Sequence, residues 1–200
     1  MISKTKARYD DFAERYEGVM SPLQRWGLIG LRQETLRQLP PGRILEIGAG
    51  TGLNFIHYPP DARGIASEFS REMLRIASMK QRPAGVQLLQ NRAEDLPFED
   101  DSFDGAFATL VFCSVESPAR GFAEIRRVVR PGGTVILLEH VRPGGILGPL
   151  FDLLNVLTVR LFDDHVNRRT AKLVSEAGLE VVSVTSRLFG IVNLIKCRVT

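Results

Sequence analysis

Arg43-Ile44-Leu45-Glu46-Ile47-Gly48-Ala49-Gly50-Thr51-Gly52-Leu53 is a short apolar run that breaks into a loop with glycine at every second position. Its Ile and Leu content, short length and glycine boundary predict a buried strand. Glycine has no Cβ and tolerates positive φ. Alternating glycines therefore let the chain turn sharply after the strand while its surface stays bare for a ligand. A dinucleotide loop needs Gly-x-Gly-x-x-Gly, the last glycine letting a helix pack beneath the pyrophosphate. Here that position holds Leu53 and the third glycine falls early, at Gly52, which weakens the dinucleotide reading.

From residue 43 onward, short apolar runs alternate with amphipathic helical stretches, the pattern of a parallel sheet with crossover helices. Strands are predicted over 43–47, 62–68, 86–90, 103–109, 133–140, 179–186 and 191–199, and helices over 53–58, 71–81, 118–129 and 167–177. Ser70 is placed to cap the second of these helices and Pro83 to stop it. Asn167 is placed to cap the last, with Gly178 at its left-handed end. Pro131-Gly132-Gly133 separates helix from strand. In the first forty residues Tyr9, Phe12, Ala13 and Tyr16 recur at helical spacing, and Trp26, Ile29, Leu36 and Leu39 extend the pattern. This predicts a helical cap over 1–40, joined through Pro40-Pro41-Gly42 to one unit over 41–200. The cap's aromatic residues either pack it or form a lid over a ligand.

The 200 residues, 44% hydrophobic and 24% charged, suit a globular chain of this organisation. A net charge of +3, spread as isolated arginines and short pairs, is a solvated surface and no nucleic-acid footprint. Cys113 and Cys197 stand alone without metal-ligand spacing, so a reducing cytoplasm is expected. No apolar signal core follows Met1. The most apolar stretch, 146–162, is interrupted by Pro149, Asp152, Asn155 and Arg160 and is too short to span a bilayer.

Glu68 ends the second strand about 20 residues beyond the glycine loop, where a βαβ unit places a carboxylate to accept two hydrogen bonds from a ribose diol. In an open α/β sheet, ligands lie outside the carboxyl ends of the strands, so residues 109–115, after the fourth strand, should also face the ligand. Asp104, which begins that strand, reads as structural.

Residues 43–141, with the glycine run, Glu68 and the string Ala93-Glu94-Asp95-Leu96-Pro97-Phe98, resemble the class I, Rossmann-like S-adenosylmethionine (SAM)-dependent methyltransferases of the type 11 group. The resemblance implies a three-layer αβα sandwich. Its seven-stranded, mostly parallel sheet has the order 3-2-1-4-5-7-6 with the last strand antiparallel. It also implies SAM as methyl donor, S-adenosylhomocysteine as product, and no metal. The implied cofactor contacts are Tyr9, Tyr16, Glu46, Gly48, Ala49, Gly50, Thr51, Gly52, Glu68, Phe69, Ala93, Glu94, Thr109, Leu110 and Val111. Arg92 stands where the family often has the acid that reads adenine, and Glu94 is the substitute. Should the acceptor need a base, His140 at the end of the fifth strand is the first candidate and His165 the second; His57 reads as packing.

Residues 109–115, 138–141 and 164–168 resemble thiol S-methyltransferase-like proteins, while Tyr9-Asp10-x-Phe12-Ala13-x-x-Tyr16 resembles quinone and phospholipid methyltransferases. The implied activity is methyl transfer to a small or lipophilic acceptor: a thiol, a phospholipid amine or a quinol. Two alternatives stand beside it, a non-catalytic SAM-binding protein of the same fold and an NAD(P)-dependent reductase. The insertion 144–162 forms an apolar acceptor pocket, rests on a bilayer surface, or serves as core or dimer seam. The expected location is the cytoplasm, with peripheral contact to the inner membrane surface, and no nucleic-acid partner.

Overall fold

The computed structural model describes residues 4–141, 147–162 and 168–200. Seven strands form one sheet: β1 (Arg43–Ile47), β2 (Arg63–Glu68), β3 (Gly85–Gln90), β4 (Phe103–Thr109), β5 (Val129–His140), β6 (Leu179–Arg187) and β7 (Val192–Val199). Their order is β3-β2-β1-β4-β5-β7-β6. The first five pair in parallel, and β7 runs antiparallel to both of its neighbours. The helices are α1 (Lys4–Leu23), α2 (Ile29–Leu36), α3 (Arg71–Ser78), α4 (Pro118–Val128), α5 (Leu147–Phe162) and α6 (Thr170–Glu176). The expected Rossmann-like architecture is thus present, with helices preceding the first strand.

Parallel strands covered on both faces must be apolar on both, and β4 is: Phe103, Ala106, Phe107 and Ala108 are all buried. One face packs on α4 and α6 through Phe122, Ile125, Val128 and Val174. The opposite face is covered by Leu28, Leu31 and Leu36 of the N-terminal segment, which meet Phe107, Ile136, Leu138 and Leu194. Each such fully buried side chain contributes about 1.5–3 kcal/mol.

The N-terminal helices take this position because the β1–β2 crossover is short. Where a helix over 53–58 is expected, only a 3₁₀ turn, Phe55–His57, forms. Pro59 drives Tyr58 into extended geometry (φ −66°, ψ 142°), and the side chain of Asn54 makes no helix cap. Helix α3 also ends early, at Ser78 instead of beside Pro83. Its final N–H groups, on Met79 and Lys80, close tight turns to Ile76 and Ala77. β5 starts earlier than expected, at Val129, which pairs with Phe103 before the ladder resumes at Thr134. Pro131 and Gly132 therefore lie in an irregularity inside the strand. Gly178, at φ +84°, follows α6 as expected, whereas Asn167 lies outside the described residues.

Helix α1 continues through a π-helical turn, Gln24–Leu28, and Gly27 (φ +135°) redirects the chain into α2. Its contact with α3 is polar. Asp10 accepts hydrogen bonds from the Ser70 hydroxyl (2.5 Å) and the Glu72 N–H (3.2 Å) at the first turn of α3, while Ser70 caps that helix by accepting from Met73 N–H. Glu14 pairs with Arg75 and Glu17 with Lys80 along the same seam. Among the described residues, no helix is long and apolar enough to cross a membrane.

Candidate functional site

The carboxyl ends of β1 to β4 converge under α1 on an open cleft. The three glycines of the loop after β1 adopt positive φ for different reasons. A Cβ on Gly48 would sit 2.5 Å from Val111, and one on Gly52 would sit 2.5 Å from the Phe55 ring, so both are forced by packing. At Gly50 (φ +56°) the same direction is open space. Gly50 is therefore where the backbone lies bare to a ligand.

Glu68 fixes this loop. Its Oε2 accepts from Gly50 N–H (2.8 Å) and its Oε1 from Ser70 N–H (2.9 Å). Each carboxylate oxygen keeps a second lone pair, so the group can still accept from a diol. Burial pushes the Glu68 carboxyl up to about 7, against the pull of the backbone N–H donors. Phe69 beside it meets Tyr9 of α1 edge to face, with centroids 5.9 Å apart.

At the third strand end, Ala93 and Glu94 border the cleft. Glu94 Oε1 accepts from Ser117 N–H (3.1 Å) and lies 3.5 Å from Arg92, which also pairs with Glu116 at 2.9 Å. Asn91 lies next to them, and its Oδ1 is a buried acceptor with no partner among the described residues.

The fourth strand end is held by Glu139 of β5, whose Oε1 accepts from both Val111 and Phe112 N–H at 3.1 Å. This brace lets Leu110 hold φ +60°, costly for a residue with a Cβ. Behind the loop lies a buried polar chain. Tyr58 donates to Glu46 Oε2, and Asn54 Nδ2 donates to Glu46 Oε1 (2.5 Å) and Thr109 Oγ1 (2.9 Å). Arg32 of α2 donates through Nη1 to Asn54 Oδ1 (2.8 Å) and Thr109 Oγ1 (2.7 Å). Burial raises the Glu46 carboxyl, opposed by Tyr58, Asn54 and Arg32, and the same burial raises the Tyr58 phenol well above its usual value.

Tyr9, Tyr16, Gly48, Ala49, Gly50 and Thr51 border the cleft, as do Glu68, Phe69, Ala93, Glu94, Thr109, Leu110 and Val111. Two residues expected there do not. Glu46 is spent behind the loop on Asn54 and Tyr58, and Gly52 packs under Phe55. His140 does not border it either: in β5 it shares the parity of Ile136 and Leu138, and burial lowers its imidazole to about 4, leaving it neutral. His165 lies outside the described residues. Arg32, Thr5 and Asn91 border the cleft without having been anticipated. Thr5 follows from the spacing of Tyr9 and Tyr16 on α1, while Arg32 carries no local signal.

Residues 45–137 match the family described as a methyltransferase domain. Over these residues the chain is similar to SAM-dependent methyltransferases. A demethylmenaquinone methyltransferase of Renibacterium salmoninarum is 28% identical over 171 residues, covering 82% of this chain and 70% of that protein. A human thiol S-methyltransferase is 36% identical over 103 residues, 49% of this chain and 42% of the relative. The chain thus spans between 42% and 70% of these curated relatives' lengths. A solved SAM-dependent methyltransferase of Thermotoga maritima, described as a possible histamine N-methyltransferase, superposes with a TM-score of 0.73 at 25% identity, covering 98% of this chain and 100% of that one. The dinucleotide alternative falls with this assignment. The methyltransferase cleft also suits SAM chemically, with bare backbone at Gly50, a diol acceptor at Glu68 and an unspent buried acceptor at Asn91.

Proposed function

We propose that this methyltransferase transfers the methyl group of SAM to a small lipophilic acceptor, a quinol, thiol or phospholipid amine, that reaches the cleft from a bilayer surface. The observation that carries this reading is an apolar rim at the carboxyl end of the sheet. Pro149, Leu153, Val156 and Arg160 recur on the exposed side of α5, and Leu153 is 70% and Val156 64% exposed. Trp26 (59%) and Phe189 (82%) add exposed aromatic surface. Phe189 belongs to the β6–β7 hairpin, which is level with the end of β5 because Val192 pairs with His140. Leu188 and Phe189 hold φ of +47° and +57°, a conformation that costs about 1–2 kcal/mol per residue and turns Phe189 outward. Trp, Phe and Leu over a basic excess suit an anionic membrane interface.

In this reading Glu68 holds the ribose, Ala93 with Glu94 or Asn91 meets adenine, and the Gly48–Gly50 loop underlies the methionine end. The sulfonium supplies an activated methyl group. The chain's work is then to align the acceptor's lone pair with it and to exclude water, which α1, Tyr9 and Tyr16 do from above the cleft. Transfer of radiolabelled methyl from SAM to a panel of aliphatic thiols, reduced quinones and phosphatidylethanolamine vesicles tests the activity. Labelling of a lipophilic acceptor is expected. SAM binding with no acceptor labelled would favour the non-catalytic reading. Co-sedimentation with anionic vesicles tests the rim: Phe189→Ser with Trp26→Ser should release the protein from vesicles and leave its SAM affinity unchanged.

A further inference from the structure

The sheet ends on β3 at one side and on β6 at the other, and the two edges differ. β3 is short and exposes Gly85, Gln87 and Gln90, which give a partner little apolar grip. β6 is longer, and its Val182 and Val184 are 45% and 46% exposed. Between Glu180 and Arg187 it reads Val181-Val182-Ser183-Val184-Thr185-Ser186, a run rich in β-branched residues with no charge and no proline. Charge and proline are the usual protection of a long edge against pairing with another chain.

β6 does contain a bulge, and its position matters. Val181 lies opposite Cys197 and Ser183 opposite Lys196, so Val182 is the extra residue. Side chains alternate along a strand, so Glu180 and Arg187, an odd number of positions apart, would otherwise point to opposite faces. The bulge brings both to one face, because Glu180 falls opposite Arg198 and Arg187 opposite Val192. Arg187 is held there by Glu34 of α2 at 2.6 Å, whereas Glu180 is exposed and has no ion pair among the described residues. Val184, opposite Ile195, lies midway between the two charges.

We propose that β6 pairs antiparallel with β6 of a second copy of the chain, about a two-fold axis normal to the sheet at Val184. That axis sets Val184 against its own counterpart, Ser183 against Thr185, Val181 against Ser186 and Glu180 against Arg187. Every unlike contact is made twice, opposite charges meet at both ends and the apolar pair lies at the centre. Centred on Thr185 instead, the pairing would set Arg187 against Ser183; centred on Ser183, it would set Glu180 against Thr185. The edge is thus complementary to itself in one register, which is why a second copy is the partner it fits. The pairing reverses strand direction, so the two clefts open at opposite ends of the joined sheet and neither is covered.

Sedimentation equilibrium of the full chain, without lipid, tests this. The wild-type protein should dimerise in a concentration-dependent manner. Glu180→Arg should weaken dimerisation about tenfold or more, because two attractive pairs become two repulsive ones, and Arg187→Glu should do the same. An equimolar mixture of these two variants should associate again, since each then meets its complement. Oxidation of Val184→Cys should link two copies through the axis, while Ser186→Cys, which faces Val181, should stay unlinked; the native Cys113 and Cys197 are buried. Cooperative thermal unfolding of each variant reports an intact fold, and Glu180→Arg and Val184→Cys leave the Arg187–Glu34 pair in place. A wild-type protein that remains monomeric up to about millimolar concentration would overturn the proposal. So would a dimer that Glu180→Arg leaves unchanged, or folded variants that fail to associate when mixed.

Discussion

Glu68 joins two requirements that oppose each other. Its carboxyl must be ionised to accept from a ribose diol, yet burial raises it from an ordinary 4.5 to about 7. A raised carboxyl stabilises the folded chain fully below pH 4.5, and that contribution is lost as pH climbs through about 7. Cofactor affinity runs the other way, weakening as pH falls through 7. Calorimetry with S-adenosylhomocysteine should show binding about tenfold weaker at pH 6 than at pH 8, with proton release near neutrality, and Glu68→Gln should flatten that profile. Gly48 makes a separate claim, because its missing Cβ is the space that Val111 fills. Gly48→Ala should lose about 2–4 kcal/mol in urea unfolding, from positive-φ strain and overpacking. Adding Val111→Ala should recover the packing part and leave the strain. Glu68 and the glycines are legible in the sequence because strand, loop and acid keep a fixed spacing. Arg32 is not: nothing within α2 distinguishes a buried arginine from a solvated one until Asn54 and Thr109 arrive from distant parts of the chain.

At the level of elements, the strands can be read from the sequence because burial on both sheet faces demands unbroken apolar runs, and every strand lies within a few residues of its expected span. The shortfalls come where backbone chemistry competes with periodicity. Residues 53–58 have a helical look, but Pro59 and the diversion of Asn54 leave only a single 3₁₀ turn. The expected apolar face of the 144–162 insertion falls on side chains outside the described set; its helix, α5, is present, with Leu153 and Val156 exposed. Helix α4 does more than cover the sheet. Arg127 donates to the Leu96 and Phe98 carbonyls at 2.9 and 2.7 Å, and Glu124 accepts from Leu96 N–H at 2.8 Å, so α4 clamps the loop that follows Ala93-Glu94. Arg127→Ala should therefore cost about 1–3 kcal/mol in denaturant unfolding and speed amide exchange across 96–101, while exchange in β1 stays slow.

Across the whole molecule, the cleft is a joint product of the sheet and the helices that precede it. Asp10, Glu14 and Glu17 tie α1 to α3, and Thr5, Tyr9 and Tyr16 of the same helix border the cleft. A ligand bound there should raise the thermal midpoint of the entire chain, by about 2.7 kcal/mol of stabilisation at a hundredfold excess over its Kd. Asp10→Ala should reduce both the midpoint and the ligand-induced rise in differential scanning calorimetry, because it loosens α1 where it meets α3.

The short β1–β2 crossover has a temporal consequence as well. Leu28, Leu31 and Leu36 take the place that a local helix would have filled, and the surfaces that receive them, Ile136, Leu138 and Leu194, lie about a hundred or more residues downstream. On the ribosome, this apolar helix emerges early and waits through most of translation for the strands it must cover. Throughout that interval it is an exposed chaperone target, and a nascent chain halted before β5 carries it without Ile136, Leu138 and Leu194.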